Sequence, residues 1–210
     1  MKSKTPGSRS RYGGVDRVVL LLLAGACAFT VAGATARADY DRRVVVTVAL
    51  PPAVSRATWA EERDAFALRL AQAFDLERSA ANEFAGWILE ASTRQALPPD
   101  LLASLIMTES AFRKNVRSAI GAVGPGQIRP DLWGAWCGAN LTDPEENIDC
   151  AARILAHYGE ACARQATEPE DCALRSYNVG YRNRDNRIFA AAAARYLAKI
   201  ERHLASLRST

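Results

Sequence analysis

A chain of 210 residues, 49% hydrophobic and 24% charged, has the composition of a globular protein and enough length for one well-buried domain plus a targeting segment. Its formal charge of +4 belongs to the start of the chain: residues 1–38 carry six basic residues and one acid, which leaves the remainder at −1. The folded part therefore offers no electrostatic case for nucleic acid as a partner.

Residues 1–38 read as a secretory signal. A basic stretch precedes the apolar run Val18–Phe29, and Ala36-Arg37-Ala38 puts small residues at −3 and −1 before Asp39. An uncleaved anchor is the alternative, with inner-membrane contact through residues 18–34, 17 residues without a charge that just reach spanning length. A lipidation site at Cys27 fits less well, because Ala24-Gly25-Ala26 supplies the small residues but no Leu at −3. The run from Val44 to Leu50 is rich in β-branched residues and reads as a short strand or as an extended arm lying on the domain or on another protein. The expected division is residues 1–38 as signal, 39–79 as an arm and helix, and 80–207 as the main domain.

Thr58-Trp59-Ala60-Glu61 is a capping box opening a helix to about Phe74, with Trp59, Phe66, Leu70 and Phe74 on its inner face. A second helix spans about Ala80 to Gln95 with Ser79 as N-cap and Phe84, Trp87, Ile88 and Ala91 inward. A third starts near Asp100, after Pro98-Pro99, and buries Leu101, Leu102, Leu105 and Ile106. It delivers Glu109 to its C-terminal end. A carboxyl desolvated by apolar neighbours, at the negative end of a helix dipole, keeps its proton to higher pH than usual. That is the property of a general acid. The plain alternative is a solvated charge at a helix end. Ser118 to Gln127 follows with Gly121, Gly124, Pro125 and Gly126, a loop suited to unusual backbone angles and close approach of a ligand. It is not a phosphate loop, since the G-x-x-x-x-G-K-[ST] pattern is absent.

Trp133 and Trp136 read either as packing beneath a disulfide or as a stacking face for a sugar. Past Cys27 stand Cys137, Cys150, Cys162 and Cys172, an even number that suits an oxidising compartment. Three pairings exist; Cys137–Cys150 and Cys162–Cys172 are favoured because each closes a short loop. A zinc site is disfavoured: there is no C-x-x-C pair, and His157 and His203 lie at unhelpful spacing. Asp143-Pro144-Glu145-Glu146 opens a helix that Gly159 is expected to stop, with Asn147 as a buried structural hydrogen-bonder. A short helix from about Pro169 to Ser176 leads into Tyr177-Asn178-Val179-Gly180, and a last one, about Arg187 to Leu207, carries Tyr196 and Ile200 on one side.

Four stretches, in order, resemble one family. Glu109-Ser110-Ala111-Phe112 is similar to the E-S-x-F of the soluble lytic transglycosylases with a goose-lysozyme-like fold. Ser118 to Ile128 resembles their S-x-x-G-A-x-G-x-x-Q-I loop, Asp143 to Ile148 their helix start containing N-I, and Ala173 to Gly180 their A-L-x-x-Y-N-x-G. The resemblance covers about Ala80 to Ile200. It implies a mainly α, lysozyme-like helical domain with a glycine-rich active-site loop, exported to the periplasm. It also implies cleavage of the β-1,4 bond between N-acetylmuramic acid and N-acetylglucosamine in peptidoglycan, with a 1,6-anhydro product. By the same resemblance Glu109 is acid and then base, Ser110 bonds the substrate's acetamido group, Gln127 lines the groove, and Tyr177 bonds near Glu109 with Asn178 in support. Many relatives carry Met where Gly126 stands. No cofactor or metal is implied. An envelope-spanning complex is a partner suggested by the short chain and its valine-rich arm. The other readings are a hydrolase of the goose-lysozyme kind, which needs a second carboxylate such as Asp143, Asp149 or Asp185, and a non-catalytic glycan-binding or assembly protein.

Overall fold

The computed structural model describes residues 57–210; the signal segment, the valine-rich run and any membrane anchor lie outside the described residues. Seven α-helices and one 3-10 turn make up the regular structure among the described residues: α1 Trp59–Phe74, α2 Arg78–Gln95, α3 Pro99–Ser110, α4 Pro130–Cys137, α5 Pro144–Ala163, α6 Pro169–Val179, the 3-10 turn Tyr181–Asn183, and α7 Ala190–Arg208. They form one compact unit. The chain is thus mainly helical, as the periodicity implies. None of these helices is long and apolar enough to cross a membrane.

The centre is α3. Every residue from Leu101 to Ile106 is buried, so this helix has no solvent face over nearly two turns. It packs against α2 on one side and α7 on the other, while α1 closes over α2 and α7. Its start lies two residues earlier than Asp100 as N-cap would put it: Pro98 is the cap and Pro99 opens the first turn, where the missing N–H has no intrahelical partner to lose. Asp100 instead accepts two 2.8 Å hydrogen bonds from the Arg69 guanidinium, which also donates to Leu207 O at 3.2 Å. One side chain thereby ties α1, the start of α3 and the end of α7.

Helix α3 ends because the chain turns left-handed twice, at Ala111 (φ 50°) and Phe112 (φ 58°). The second turn drives the Phe112 ring back into the core, 5.5 Å from Phe74 and 5.1 Å from Phe84 between centroids. Glu109 is left pointing out of the end of a helix whose neighbours on both sides are fixed.

Several boundaries differ from the sequence reading. Glu77, not Ser79, caps α2, because its longer carboxylate reaches Ser79 N (3.0 Å) and Ala80 N (3.3 Å). Trp59 is 45% exposed, since the buried stripe of α1 begins only at Phe66. Gly159 does not end α5, which runs on to Ala163. A helical glycine costs about 1 kcal/mol against alanine, less than the last turn gains from burying Tyr158 and Cys162. Helix α4 was not expected as a helix, although Pro130 and Asp131 are start signals; Gly134 and its 8-residue length hide it. Helix α7 starts at Ala190 rather than Arg187, because Asn186 Oδ1 accepts from Ile188 N at 2.9 Å and holds a turn there.

Two disulfides join consecutive helices. Cys137 at the end of α4 pairs with Cys150 in α5, and Cys162 in the last turn of α5 pairs with Cys172 in α6, closing loops of 13 and 10 residues. Shortening the unfolded chain's freedom by such loops stabilises by about 3 kcal/mol each. Replacing Cys162 and Cys172 together by alanine is expected to lower the unfolding free energy by about 2–4 kcal/mol in urea denaturation. The denaturant slope is expected to rise as the unfolded state becomes more open.

Candidate active site

The glycine loop between α3 and α4 folds back on itself. Val123 and Ile128 exchange both backbone hydrogen bonds (2.8 and 3.0 Å), and Gly124 N donates to Val116 O at 2.9 Å. What fixes this loop to the helices is Asn147, fully buried in the first turn of α5. Its Oδ1 accepts from Gly126 N at 2.7 Å, and its Nδ2 donates to Val123 O at 3.0 Å and Leu141 O at 2.9 Å. The approach requires glycine: at Gly124, which also has φ +71°, an added Cβ would lie 2.4 Å from Asn147 Nδ2. At Gly126 it would lie 2.7 Å from Ala151 Cβ and 3.2 Å from the Tyr177 hydroxyl. A side chain there would be directed at α5 and α6, so the loop lies closer to those helices than a methionine would allow.

Loop, α4, α5 and α6 enclose a groove of about 650 Å³. Glu109 is on its wall with Ser118, Gln127, Tyr177 and Asn178; Ile120, Leu132 and Phe189 form an apolar mouth. These three are exposed despite their size. Of the residues singled out from the sequence, the groove brings together Glu109, Gln127, Tyr177 and Asn178. Ser110 is elsewhere: it is buried, and its Oγ donates to Ile106 O at 3.2 Å within α3. Gln127 adopts φ +48°, and its amide donates to Gly124 O at 3.0 Å, so it braces the loop as well as lining the groove.

Part of Glu109 faces the groove, yet protein atoms crowd its carboxyl on the other sides. That burial raises its pKa to about 7, against two opposing influences, a hydrogen bond from Tyr196 and the positive charge of Lys199. The partner is a surprise of the fold. Tyr196 of α7 donates its hydroxyl to Glu109 Oε1 at 2.6 Å, across 87 residues of sequence. Tyr177, expected to bond near Glu109, instead donates to Gly126 O at 2.7 Å. Burial raises its pKa, and it lies close enough to Glu109 that the carboxylate charge adds to the rise. The available signal for Tyr196 was its place on the inner stripe of α7: a buried phenol needs an acceptor, where phenylalanine would suffice for packing.

Beside the groove runs an aromatic wall. Trp133 lines the groove and meets Trp136 (5.2 Å) and Tyr158 (5.7 Å) edge to face, and Tyr158 stacks on Tyr181 at 6.0 Å. Arg153 lies over Trp136 at 4.8 Å and donates to Cys137 O at 2.9 Å. On the helix that ends in Cys137, the tryptophans therefore pack against each other, Tyr158 and Arg153, and Trp133 also reaches the groove.

The family model of the transglycosylase SLT domain matches residues 86–199, over half of the chain, and so takes in Glu109, the glycine loop, Asn147, Tyr177 and Tyr196. The chain belongs to the transglycosylase SLT family. Membership implies transglycosylase-type activity on peptidoglycan, and the groove between α3, the loop and α6 is where this SLT domain has its enclosed carboxyl. Among the described residues no group of three His, Cys, Asp or Glu side chains is placed to hold a metal ion.

Two measurements probe this SLT site. Asn147→Asp replaces two donated hydrogen bonds with acceptor-to-acceptor contacts in a buried position, and is expected to cost about 2–4 kcal/mol in denaturant unfolding. Glu109 carries the second. Its folded-state pKa is raised from 4.5 to about 7, so the native chain holds this proton more tightly than the unfolded chain, and stability is lost as pH rises through that window. Glu109→Gln, which cannot ionise, is expected to match wild type near the bottom of the window and to exceed it by about 2–4 kcal/mol above it. Urea denaturation at several pH values reads the difference.

Proposed function

We propose that the protein is an exported lytic transglycosylase that cleaves the N-acetylmuramic acid–β-1,4–N-acetylglucosamine bond with Glu109 as its only catalytic carboxyl. The observation that carries this reading is the enclosed Glu109 carboxyl on the groove wall, with its pKa near 7 and its Oε1 held by Tyr196. In the first half of the reaction Glu109 gives its proton to the glycosidic oxygen as the C1–oxygen bond breaks. In the second half the carboxylate takes the proton of the muramyl C6 hydroxyl, whose oxygen bonds C1 and closes the 1,6-anhydro ring. The proton returns to Glu109, and no water is consumed. A group near pKa 7 serves both halves, since acid and base forms are each accessible. Tyr196 keeps one oxygen engaged and leaves the other for the substrate. Gln127 and Asn178 line the groove as substrate contacts, and Tyr177 holds the loop by its bond to Gly126 O.

The hydrolytic alternative has little support from the geometry. Among the described residues Glu109 is the one carboxylate lining the groove. Asp143 caps α5 through Glu145 N and Glu146 N, Asp149 pairs with Arg94 at 2.8 Å, and Asp185 pairs with Arg184 at 3.3 Å. With a single carboxyl the nucleophile has to come from the substrate, unlike the usual two-carboxylate glycosidase. Ser110 acts here as a positioning residue within α3. The paired cysteines suit an oxidising compartment, and export through residues 1–38 to the periplasm follows as part of this reading, with residues 80–207 as the transglycosylase domain.

Purified sacculi digested with the protein are expected to release products ending in 1,6-anhydro-muramic acid, seen by mass spectrometry and absent with Glu109→Gln. Reducing-end products, heavier by one water, would make the enzyme a hydrolase. Unchanged digestion by Glu109→Gln would remove Glu109 from the role.

A further inference from the structure

Arg175 occupies one of the three open positions of the A-L-x-x-Y-N-x-G stretch, two residues before Tyr177 on α6. Its Nε is buried and makes no hydrogen bond. Among the described residues its guanidinium joins no ion pair either. Arg175 as a whole is only partly buried, but its guanidinium keeps its charge, and a buried N–H without an acceptor is costly, so an anion that met it there would gain from the pairing. Arg175 does have somewhere to meet it. It lines a cavity of about 300 Å³ together with Arg184, Asp185, and the alanines Ala190, Ala193 and Ala194 of α7.

Arg184 brings a second cation, largely buried and held in place. Its guanidinium lies 3.9 Å over the Tyr181 ring and donates to Tyr181 O at 2.5 Å, while its Nε stands 3.3 Å from the exposed Asp185 carboxylate. The cavity thus has two positive groups against one negative. It is also a neighbour of the groove through shared chain: Val179, Gly180, Asn183 and Phe189 line the groove, and Arg184 and Ala190, each the next residue after a groove residue, line the cavity.

We propose that this cavity is a carboxylate subsite for the peptide attached to the muramyl residue of the strand in the groove. The inference rests on the peptidoglycan reading above. A muramyl peptide leaves the sugar from its lactyl ether, at the side of the glycan, and carries free carboxylates. Planar guanidinium groups match a carboxylate with paired N–H donors, the alanine wall gives room for an aliphatic side chain, and Asp185 offers an acceptor for a peptide N–H.

The test is calorimetric titration of the full chain with a muramyl dipeptide bearing free carboxylates, and with the same compound converted to its amides. The acid form is expected to bind about tenfold tighter, a preference that weakens with added salt. Arg175→Met and Arg184→Met, which keep the aliphatic stems, are each expected to abolish the preference. Equal affinity for the two forms in wild type overturns the proposal, as does a preference that survives in Arg175→Met. Should either variant misfold, the wild-type comparison decides alone. Glutarate serves as the free dicarboxylate: if it displaces the acid form at comparable concentration, the site takes small dicarboxylates and the assignment to the peptide falls. None of these titrations involves cleavage. Failure to cut peptide-free glycan strands would count against the proposed activity and leave the subsite result standing.

Discussion

The amide of Asn147 is the contact on which the site's shape depends. One buried side chain satisfies a backbone N–H of Gly126 and the carbonyls of Val123 and Leu141, and so welds a loop without regular structure to the start of α5. Only an amide has both an acceptor and a two-proton donor in one plane, so neither aspartate nor leucine of similar size reproduces it. The loop in turn offers Gly126 O to the Tyr177 hydroxyl, which links α6 to the same cluster. The groove is therefore a surface held by hydrogen bonds at its back and by apolar packing beneath.

Burial and hydrogen bonding act on Glu109 in opposite senses, and their balance sets its chemistry. Desolvation favours the protonated carboxyl and is the larger influence, whereas the phenol of Tyr196 and the charge of Lys199 favour the carboxylate. The outcome near 7 requires all three, and these come from two elements: α3 presents the acid, and α7 supplies both the tyrosine and the lysine. Packing of α3 against α7 is thus electrostatic tuning as well as core formation.

Much of this was legible in the chain. The 3.6-residue periodicity of Leu101 to Ile106, the carboxylate at its end and the spaced glycines locate α3, Glu109 and the loop, because each is a local pattern. What stayed hidden is what sequence distance conceals. Tyr196 reads as one more inward aromatic until α7 is laid against α3, and nothing local in the chain singles out Arg175, whose Nε is buried. Tyr177 was placed near Glu109 by resemblance, and its hydrogen bond goes to the loop because Gly126 lacks a side chain to keep the two apart. The helix ends at Gly159 and Asp100 were misjudged for one reason: a local stop or start signal worth about 1 kcal/mol yields to a disulfide, an ion pair or a buried turn.

The sealing of α3 on all sides has an evolutionary consequence. Residues 101–106 touch packed neighbours in every direction, so almost any change of volume there disturbs the element that carries Glu109. Ile120, Leu132 and Phe189 at the groove mouth are exposed and support little beneath them. Substitution is free to rework this rim while the helix behind the carboxyl tolerates little change. The fold thus keeps the enclosed carboxyl and the exposed rim of the groove on separate parts of the chain, and these can diverge at different rates.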